Sequence, residues 1–132
     1  MKFMVDSNIW IDIFTSDPKW ASWSEEKLKY AMTFGLCINP IIFSEISIPF
    51  DSLDEIQSIL NDFNCEILPL PIEAGFLAGK AFLKYRKKSQ MKSSPLPDFY
   101  IGAHADHSKL TLITRDANRY KTYFPNLQLI FP

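Results

Sequence analysis

Four acidic side chains stand where an acid is unusual in a soluble protein. Asp6 directly follows the apolar run Phe3–Val5, and Asp116 comes just after a second apolar run. Glu45 and Asp98 are spaced so that each lies on a helical face made otherwise of apolar residues. A carboxylate that loses water without gaining a partner costs a large free energy. These four acids therefore need a shared partner.

Divalent metal is the partner that the sequence favours. Arg115 is the only cation adjacent to any of the four acids, and it can compensate one of them at most. Carboxylates without accompanying Cys or His ligands prefer hard cations such as Mg²⁺ or Mn²⁺. Such an ion activates water and stabilises a leaving oxygen, as phosphodiester hydrolysis requires. We predict that Asp6, Glu45, Asp98 and Asp116 are both the metal ligands and the catalytic residues.

Each acid taken singly also has a structural interpretation. Asp6 is compatible with a turn or a helix cap, Asp116 with a cap, and Asp98 with free amides at a helix start. Glu45 has no such local role. Together the four acids favour the metal site, because the structural alternative requires four independent coincidences. His104 and His107 are predicted to be packing or surface residues rather than proton shuttles.

A cluster of cations follows Leu83 near the end of a long predicted helix. It comprises Lys84, Arg86, Lys87 and Lys88, with Lys92 after a short polar stretch. Cations at a helix end interact favourably with the helix dipole, so a solvated helix end is one interpretation. The other is a patch that binds phosphates of RNA, since five cations exceed what a helix end needs.

Composition describes an ordinary globular domain. The chain has 132 residues, 47% of them hydrophobic, and a formal net charge of −1. We therefore expect one domain spanning 1–132, with no overall field that attracts nucleic acid. Two isolated cysteines, Cys37 and Cys65, indicate buried thiols in a reducing compartment. No signal peptide or membrane span is apparent, and a cytoplasmic location is predicted.

Short apolar runs alternate with helical patterns, which predicts an α/β fold with a central parallel sheet of about five strands. Ser7 or Asn8 is expected to cap the first helix, and Asn39 and Ser52 to cap two later ones. The helix after Asp17-Pro18 should bury a stripe that includes two tryptophans. The long helix should bury Ile72, Phe76, Gly79 and Leu83. Residues 89–97 are predicted to form a mobile loop.

The residues around the acids resemble those of PIN domains. The matching segments are Val5-Asp6-Ser7-Asn8, Ser44-Glu45, Pro97 to Ala105, and Leu112 to Asp116. The chain's length and its Arg119 to Pro125 segment narrow the resemblance to VapC-type toxins of bacterial toxin–antitoxin pairs. The resemblance implies a three-layer α/β/α sandwich and an Mg²⁺- or Mn²⁺-dependent ribonuclease. It also implies a homodimer and a cognate antitoxin whose tail occupies the active-site groove.

Carried over to this sequence, the resemblance assigns Asp6, Glu45, Asp98 and Asp116 to the acidic quartet. It assigns Asn8 and Thr114 to supporting positions that orient the acids. Two other functions stay open on the residues alone. One is a non-catalytic RNA-binding or regulatory module. The other is an aspartyl-phosphate phosphatase, although the second acid that such enzymes carry is replaced here by Asn8.

Overall fold

A computed structural model describes residues 2–88 and 96–132, and within these ranges the chain forms five strands and seven helices. The strands are β1 (Phe3–Val5), β2 (Leu36–Ile38), β3 (Cys65–Ile67), β4 (Thr111–Ile113) and β5 (Leu129–Ile130). The helices are α1 (Ser7–Phe14), α2 (Ala21–Met32), α3 (Pro40–Ser47), α4 (Leu53–Asp62), α5 (Ile72–Lys88), α6 (Leu96–His107) and α7 (Asn118–Tyr123).

The strands form one sheet in the order β3-β2-β1-β4-β5, and every neighbouring pair is parallel. This confirms the predicted parallel α/β fold. The chain builds outwards from β1 in one direction and then crosses to β4 on the other side of β1. Such a reversal of strand order opens a crevice at the carboxyl ends of the two strands. Val5 pairs with Ile113, so the residues that follow β1 and β4 emerge side by side.

Burial of the strands follows from their position in the sheet. All residues of β1 and β2 are buried, as expected for central parallel strands covered by helices on both faces. β3 lies at an edge, and only Cys65 of its three residues is buried. Both cysteines are buried free thiols.

Helix starts were predicted with mixed success. The side chain of Asn39 accepts a hydrogen bond from the Ile42 amide, and the hydroxyl of Ser52 accepts one from the Glu55 amide, so both predicted caps are confirmed. The prediction for α1 was wrong. Its N-cap is Asp6, because the helix already begins at Ser7.

Two predicted helix faces were also wrong in part. In α2 the fully buried positions are Ser24, Leu28 and Ala31, and the tryptophans are only partly covered. In α5 the predicted inner residues are exposed, and three alanines face the core instead; these are Ala74, Ala78 and Ala81.

The predicted loop at 89–97 falls mostly outside the described residues. Its last two positions, Leu96 and Pro97, belong to α6. Across the described ranges, no helix combines the length and the apolar character that a bilayer crossing demands.

Candidate functional site

The four predicted acids line one cavity. It has a volume of about 240 Å³, and its wall also includes Ser7, Asn8, Ile11 and Tyr120. Asp6 directly follows β1 and Asp116 lies beyond the end of β4, so both are at the crevice where strand order reverses. Glu45 reaches the cavity from α3 and Asp98 from the first turn of α6. Residues that are far apart in sequence therefore converge at the carboxyl edge of the sheet.

Asp6 is the most deeply placed acid. Its Oδ1 accepts a hydrogen bond from the Ser7 amide at 2.7 Å. Its Oδ2 accepts from the Thr114 hydroxyl at 2.8 Å and from the Tyr120 hydroxyl at 3.0 Å. Burial and, to a smaller extent, the charge of Asp98 together raise the pKa of Asp6 to about 6, although the three hydrogen bonds oppose the rise. The cavity thus contains a carboxyl group whose negative charge is incompletely compensated.

Thr114 connects the two strand ends. Its hydroxyl donates to Asp6 and accepts from the Asn8 side-chain amide at 3.3 Å and from the Asp116 amide at 3.2 Å. The Asn8 carbonyl oxygen in turn accepts from the Arg115 amide at 3.2 Å. Both predicted supporting residues therefore lie beside the acids, and they hold α1 and the segment after β4 in a fixed relation.

Glu45 is held by the first helix. Its Oε1 accepts a hydrogen bond from the Ser7 hydroxyl at 2.6 Å, which links α3 to the start of α1. The side chain is half-buried. The hydroxyl of Ser7 and the amide of the same residue thus orient two different acids of the cavity.

Asp98 has a cationic partner that the sequence did not reveal. Nη1 of Arg119, on α7, donates to Asp98 Oδ2 at 2.5 Å. Burial nevertheless raises the pKa of Asp98; Arg119 opposes this, and the charge of Asp116 adds to it. The prediction that no cation besides Arg115 could compensate these acids was wrong, because Arg119 lies too far from Asp98 in sequence for the pairing to be recognised.

Arg115 has a different role from the one considered. Its Nε donates to Oδ2 of Asp12 at 2.6 Å, and Asp12 also accepts from the Ser24 hydroxyl at 2.8 Å. The guanidinium lies over the Trp20 ring, 5.4 Å from its centre. Arg115 therefore compensates a buried acid between α1 and α2 rather than one of the four acids of the cavity.

The histidines behave as predicted. His104 is buried and its Nδ1 lies 3.2 Å from the side-chain amide of Asn39. Burial lowers the pKa of His104, which favours its neutral form. Nε2 of His107 lies 3.3 Å from Oε2 of Glu73 at the surface. Neither residue lines the cavity of the acids.

The predicted cation cluster occupies the last two turns of α5. Its four described members are exposed to solvent, and none of them lines the acidic cavity: Lys84, Arg86, Lys87 and Lys88. Lys92 lies outside the described residues. Whether this surface meets RNA stays a prediction.

The chemistry of the cavity suits a hard divalent cation. Its donors are carboxylate, hydroxyl and amide oxygens, with no thiol or imidazole. In the ranges 2–88 and 96–132, no three acidic, His or Cys side chains are close enough to hold one ion together. Mg²⁺ is commonly bound by one or two carboxylates with water completing its shell. A cation held directly by one or two of these acids, and through water by the others, fits this arrangement.

Two residues of the site were missed by sequence reasoning. Tyr120 and Arg119 follow Asp116 by four and three residues, and both contact acids of the cavity. Their closeness to Asp116 in sequence was a signal, since both lie on α7, which begins two residues after that acid. It could not be used, since the start of α7 and its angle to α6 were unknown.

Comparisons with known proteins agree with this architecture. A family model described as PIN domain matches residues 3–125. The fold is similar to a VapBC2 complex from Rickettsia felis bound to promoter DNA, with 22% identity, a TM-score of 0.74, and 100% of this chain and 99% of that chain covered. It is similar to DNA-bound VapBC from Salmonella typhimurium, with 20% identity, a TM-score of 0.72, and 99% and 98% covered.

A third similar structure is a toxin–antitoxin complex from Klebsiella pneumoniae. The identity is 20%, the TM-score is 0.65, and 98% of this chain and 96% of that chain are covered. No curated protein matches the sequence. At these identities the solved structures support the fold of the chain, and the family model extends over nearly all of its length.

Proposed function

The chain belongs to the PIN domain family, and we propose that it is a divalent-metal-dependent endoribonuclease. Asp6, Glu45, Asp98 and Asp116 are the proposed catalytic and metal-binding residues, with Mg²⁺ or Mn²⁺ as the cofactor. One observation carries the proposal. Acids from four separate segments of the chain line a single cavity, and this cavity lies where the strand order of the sheet reverses.

The chain's own residues orient the acids for this chemistry. When bound, a divalent cation would lower the pKa of a water molecule and stabilise the leaving oxygen. Asp6 keeps unused acceptor capacity after its three hydrogen bonds, because an ionised carboxylate accepts about four. The Thr114 hydroxyl orients the Asp6 carboxylate through a hydrogen bond, and Asn8 in turn donates a hydrogen bond to that hydroxyl. Asp116 is exposed, so a substrate can approach the cavity from its side.

A local cationic surface would compensate for the absence of overall positive charge. The net charge of the chain is −1, and the cavity itself is acidic. The cation cluster at the end of α5 presents four exposed positive charges, and α5 packs against α6, which carries Asp98. RNA phosphates on either side of the scissile bond are its proposed ligands.

The proposed biological setting is a bacterial toxin–antitoxin pair. Three solved structures with this fold are VapBC or toxin–antitoxin complexes. By analogy, a cognate antitoxin would bind this chain, and two copies of the chain would form a homodimer. Co-expression with the protein encoded beside it, followed by size-exclusion chromatography, tests both assemblies.

RNA cleavage tests the proposed activity. Purified protein is incubated with total RNA in Mg²⁺, in Mn²⁺ and in EDTA, and cut sites are mapped by sequencing. We expect defined cuts with either cation, none in EDTA, and at least about a hundredfold loss of rate in Asp116→Asn. Asp54→Asn is the matched control, because Asp54 is an exposed acid of α4 outside the cavity. Cation-dependent RNA binding without any cleavage would indicate a non-catalytic module instead.

Salt dependence tests the proposed RNA surface. Replacing Lys84, Arg86, Lys87 and Lys88 by alanine should weaken RNA binding and flatten its dependence on salt. Each lost phosphate contact should reduce the slope of log K against log salt by about 0.7 for single-stranded RNA. Fluorescence anisotropy with a labelled RNA at several salt concentrations measures this slope. An unchanged slope would show that these cations form only a solvated helix end.

A further inference from the structure

Arg119 and Asp98 form an ion pair at the rim of the acidic cavity. The guanidinium extends from α7 and its Nη1 lies 2.5 Å from Oδ2 of Asp98. About a third of each side chain is exposed, 31% for Arg119 and 35% for Asp98. Partly exposed ion pairs contribute little to stability, so this one can be broken at small cost.

The guanidinium has a second contact that does not depend on Asp98. It lies over the ring of Tyr85 on α5, with its central carbon 5.6 Å from the ring centre. The Tyr85 ring packs in turn against Phe99 and Tyr123. Arginine stacks well on aromatic rings, and this contact leaves the edges of the guanidinium available for hydrogen bonds. The contact with the Tyr85 ring would therefore still hold the Arg119 guanidinium if Asp98 bound another partner.

The other arginine near the site provides a contrast. Arg115 pairs with Asp12, whose side chain is only 2% exposed, and Asp12 also accepts from Ser24. Breaking that pair would leave a buried charge without a partner, which is strongly unfavourable. The Arg115 pair is therefore a structural link, whereas the Arg119 pair lies at an opening to solvent.

We propose that Arg119 is an exchangeable counter-ion. It pairs with Asp98 while no divalent cation is bound, releases Asp98 when a cation enters the cavity, and then contacts an RNA phosphate. This inference rests on the proposed nuclease function. Its first half follows from charge: a divalent cation at Asp98 repels a guanidinium that shares the same carboxylate.

The second half follows from the chemistry of the released group. A guanidinium stays charged at all relevant pH values, and its planar donors match the oxygens of a phosphate. The Tyr85 ring that the Arg119 guanidinium contacts belongs to α5. Tyr85 lies between Lys84 and Arg86, within the cation cluster proposed to bind RNA. A released Arg119 would therefore extend that cluster to the edge of the cavity.

Cation binding without RNA tests the exchange. Arg119→Gln should bind Mn²⁺ about three- to fivefold more tightly than the wild type in titration calorimetry, because the cation no longer displaces an ion pair. Lys121→Gln is the matched control: Lys121 lies on the same helix, loses the same charge, and contacts the Phe131 ring instead of an acid. Its Mn²⁺ affinity should change by less than about twofold. Weaker Mn²⁺ binding by Arg119→Gln would overturn the inference, since Arg119 would then orient Asp98 for the cation.

RNA binding tests the second partner. A labelled single-stranded RNA of mixed sequence is titrated in Ca²⁺ and in EDTA, and its integrity is checked on a gel. Arg119→Gln should weaken binding about fivefold in Ca²⁺ and change it little in EDTA, where Arg119 of the wild type is occupied by Asp98. An equal loss in both conditions, matching Lys121→Gln, would show that Arg119 acts only through general charge.

Further measurements separate the possible failures. Thermal unfolding shows whether Arg119→Gln folds; if it does not, Arg119→Lys retains the charge but loses the planar donors. That variant should lose RNA affinity in Ca²⁺ and retain Mn²⁺ affinity, and an unchanged RNA affinity would overturn the inference.

A wild type that binds no Mn²⁺ would refute the proposed function and this inference together. A wild type that binds Mn²⁺ and cuts RNA, beside an Arg119→Gln variant with unaltered affinities, would refute this inference alone.

Discussion

Asp6 shows how a single residue serves both fold and chemistry. It caps α1, it lines the acidic cavity, and its Oδ2 accepts hydrogen bonds from Thr114 and Tyr120. The Thr114 hydroxyl was expected beside it, since the resemblance to PIN domains assigns Thr114 to a position that orients the acids. The Tyr120 hydroxyl was not, because the sequence showed this tyrosine only as an apolar helix position. One buried acid therefore has a donor that local patterns could not identify.

Tyr120→Phe tests the contribution of that donor. Without the phenol hydroxyl, ionised Asp6 loses one hydrogen bond, so the pKa of Asp6 in cation-free protein should rise above about 6. A hydrogen bond worth about 1 kcal/mol corresponds to a further rise of about 0.7 units. Carbon-13 NMR of labelled aspartate carboxyls measures this pKa. Tyr123→Phe on the same helix is the control, because its ring packs on Phe99. If the Asp6 pKa did not change in Tyr120→Phe, the Tyr120 side chain would contribute only packing.

At the scale of elements, the contact between α6 and α7 positions both missed residues. A Cβ atom added at Gly102 would lie 2.5 Å from the Phe124 ring and 3.0 Å from the Tyr120 ring. Such distances cannot be accommodated without movement of α7. Glycine at this position therefore allows α7 to approach α6 closely, and that approach brings Arg119 and Tyr120 to Asp98 and Asp6.

Gly102→Ala should destabilise the fold by about 1–3 kcal/mol, because overpacking forces the α7 aromatic rings away from α6. Chemical denaturation measures the change. Gly79→Ala is the control on α5: apart from its chain neighbours and the nearby backbone of its own helix, no atom lies within 4 Å of its added Cβ, so alanine should stabilise the helix by up to about 1 kcal/mol. If both substitutions were equally harmless, the close approach at Gly102 would have no energetic importance.

The wrong face predicted for α5 has a physical explanation. Ile72, Phe76 and Leu83 follow helical spacing, but so do the alanines that are buried instead. Hydrophobicity favours the burial of the larger residues. Packing favours the smaller ones, because α5 runs close against α6 and only a short side chain fits between them. Two stripes of equal period cannot be ranked without knowing the neighbouring helix.

At the scale of the whole molecule, the acids of the cavity make folding depend on pH. Burial raises the pKa of Asp6 and of Asp98. A carboxyl group whose pKa is higher in the folded state binds more protons there than in the unfolded chain. Stability from such a group is therefore greatest at low pH and falls as pH rises, in the case of Asp6 from 3.8 towards about 6. A bound divalent cation would stabilise the ionised carboxylates and so reverse this loss of stability as pH rises.

Asp98→Asn tests this expectation. In EDTA, the stability of the variant relative to the wild type should increase between pH 4 and pH 7, because the variant lacks a carboxyl group whose pKa is raised by burial and by the charge of Asp116. The same variant should lose Mg²⁺-dependent cleavage. Urea denaturation at several pH values measures the first effect, and Asp54→Asn is the exposed control. A variant less stable than the wild type that still cut RNA would identify Asp98 as a structural residue paired with Arg119.

The sequence by itself determined the class of fold and the position of the acids. Buried strands appear in the sequence as short apolar runs, and Asn39 and Ser52 indicate where two helices begin. The residue that follows a parallel strand must lie at the carboxyl edge of the sheet. These are local rules, and each depends on a few neighbouring residues.

Only the tertiary structure decided which side chains meet across the cavity. Arg119 pairs with Asp98, Tyr120 bonds Asp6, and Arg115 turns to Asp12 instead of the cavity. Such pairings depend on the angle and distance between helices, which are set by packing at positions such as Gly102 and the alanines of α5. Hydrophobic periodicity does not reveal where a side chain must be one methyl group smaller for two helices to approach. That close approach is nevertheless what brings each charged side chain to its partner.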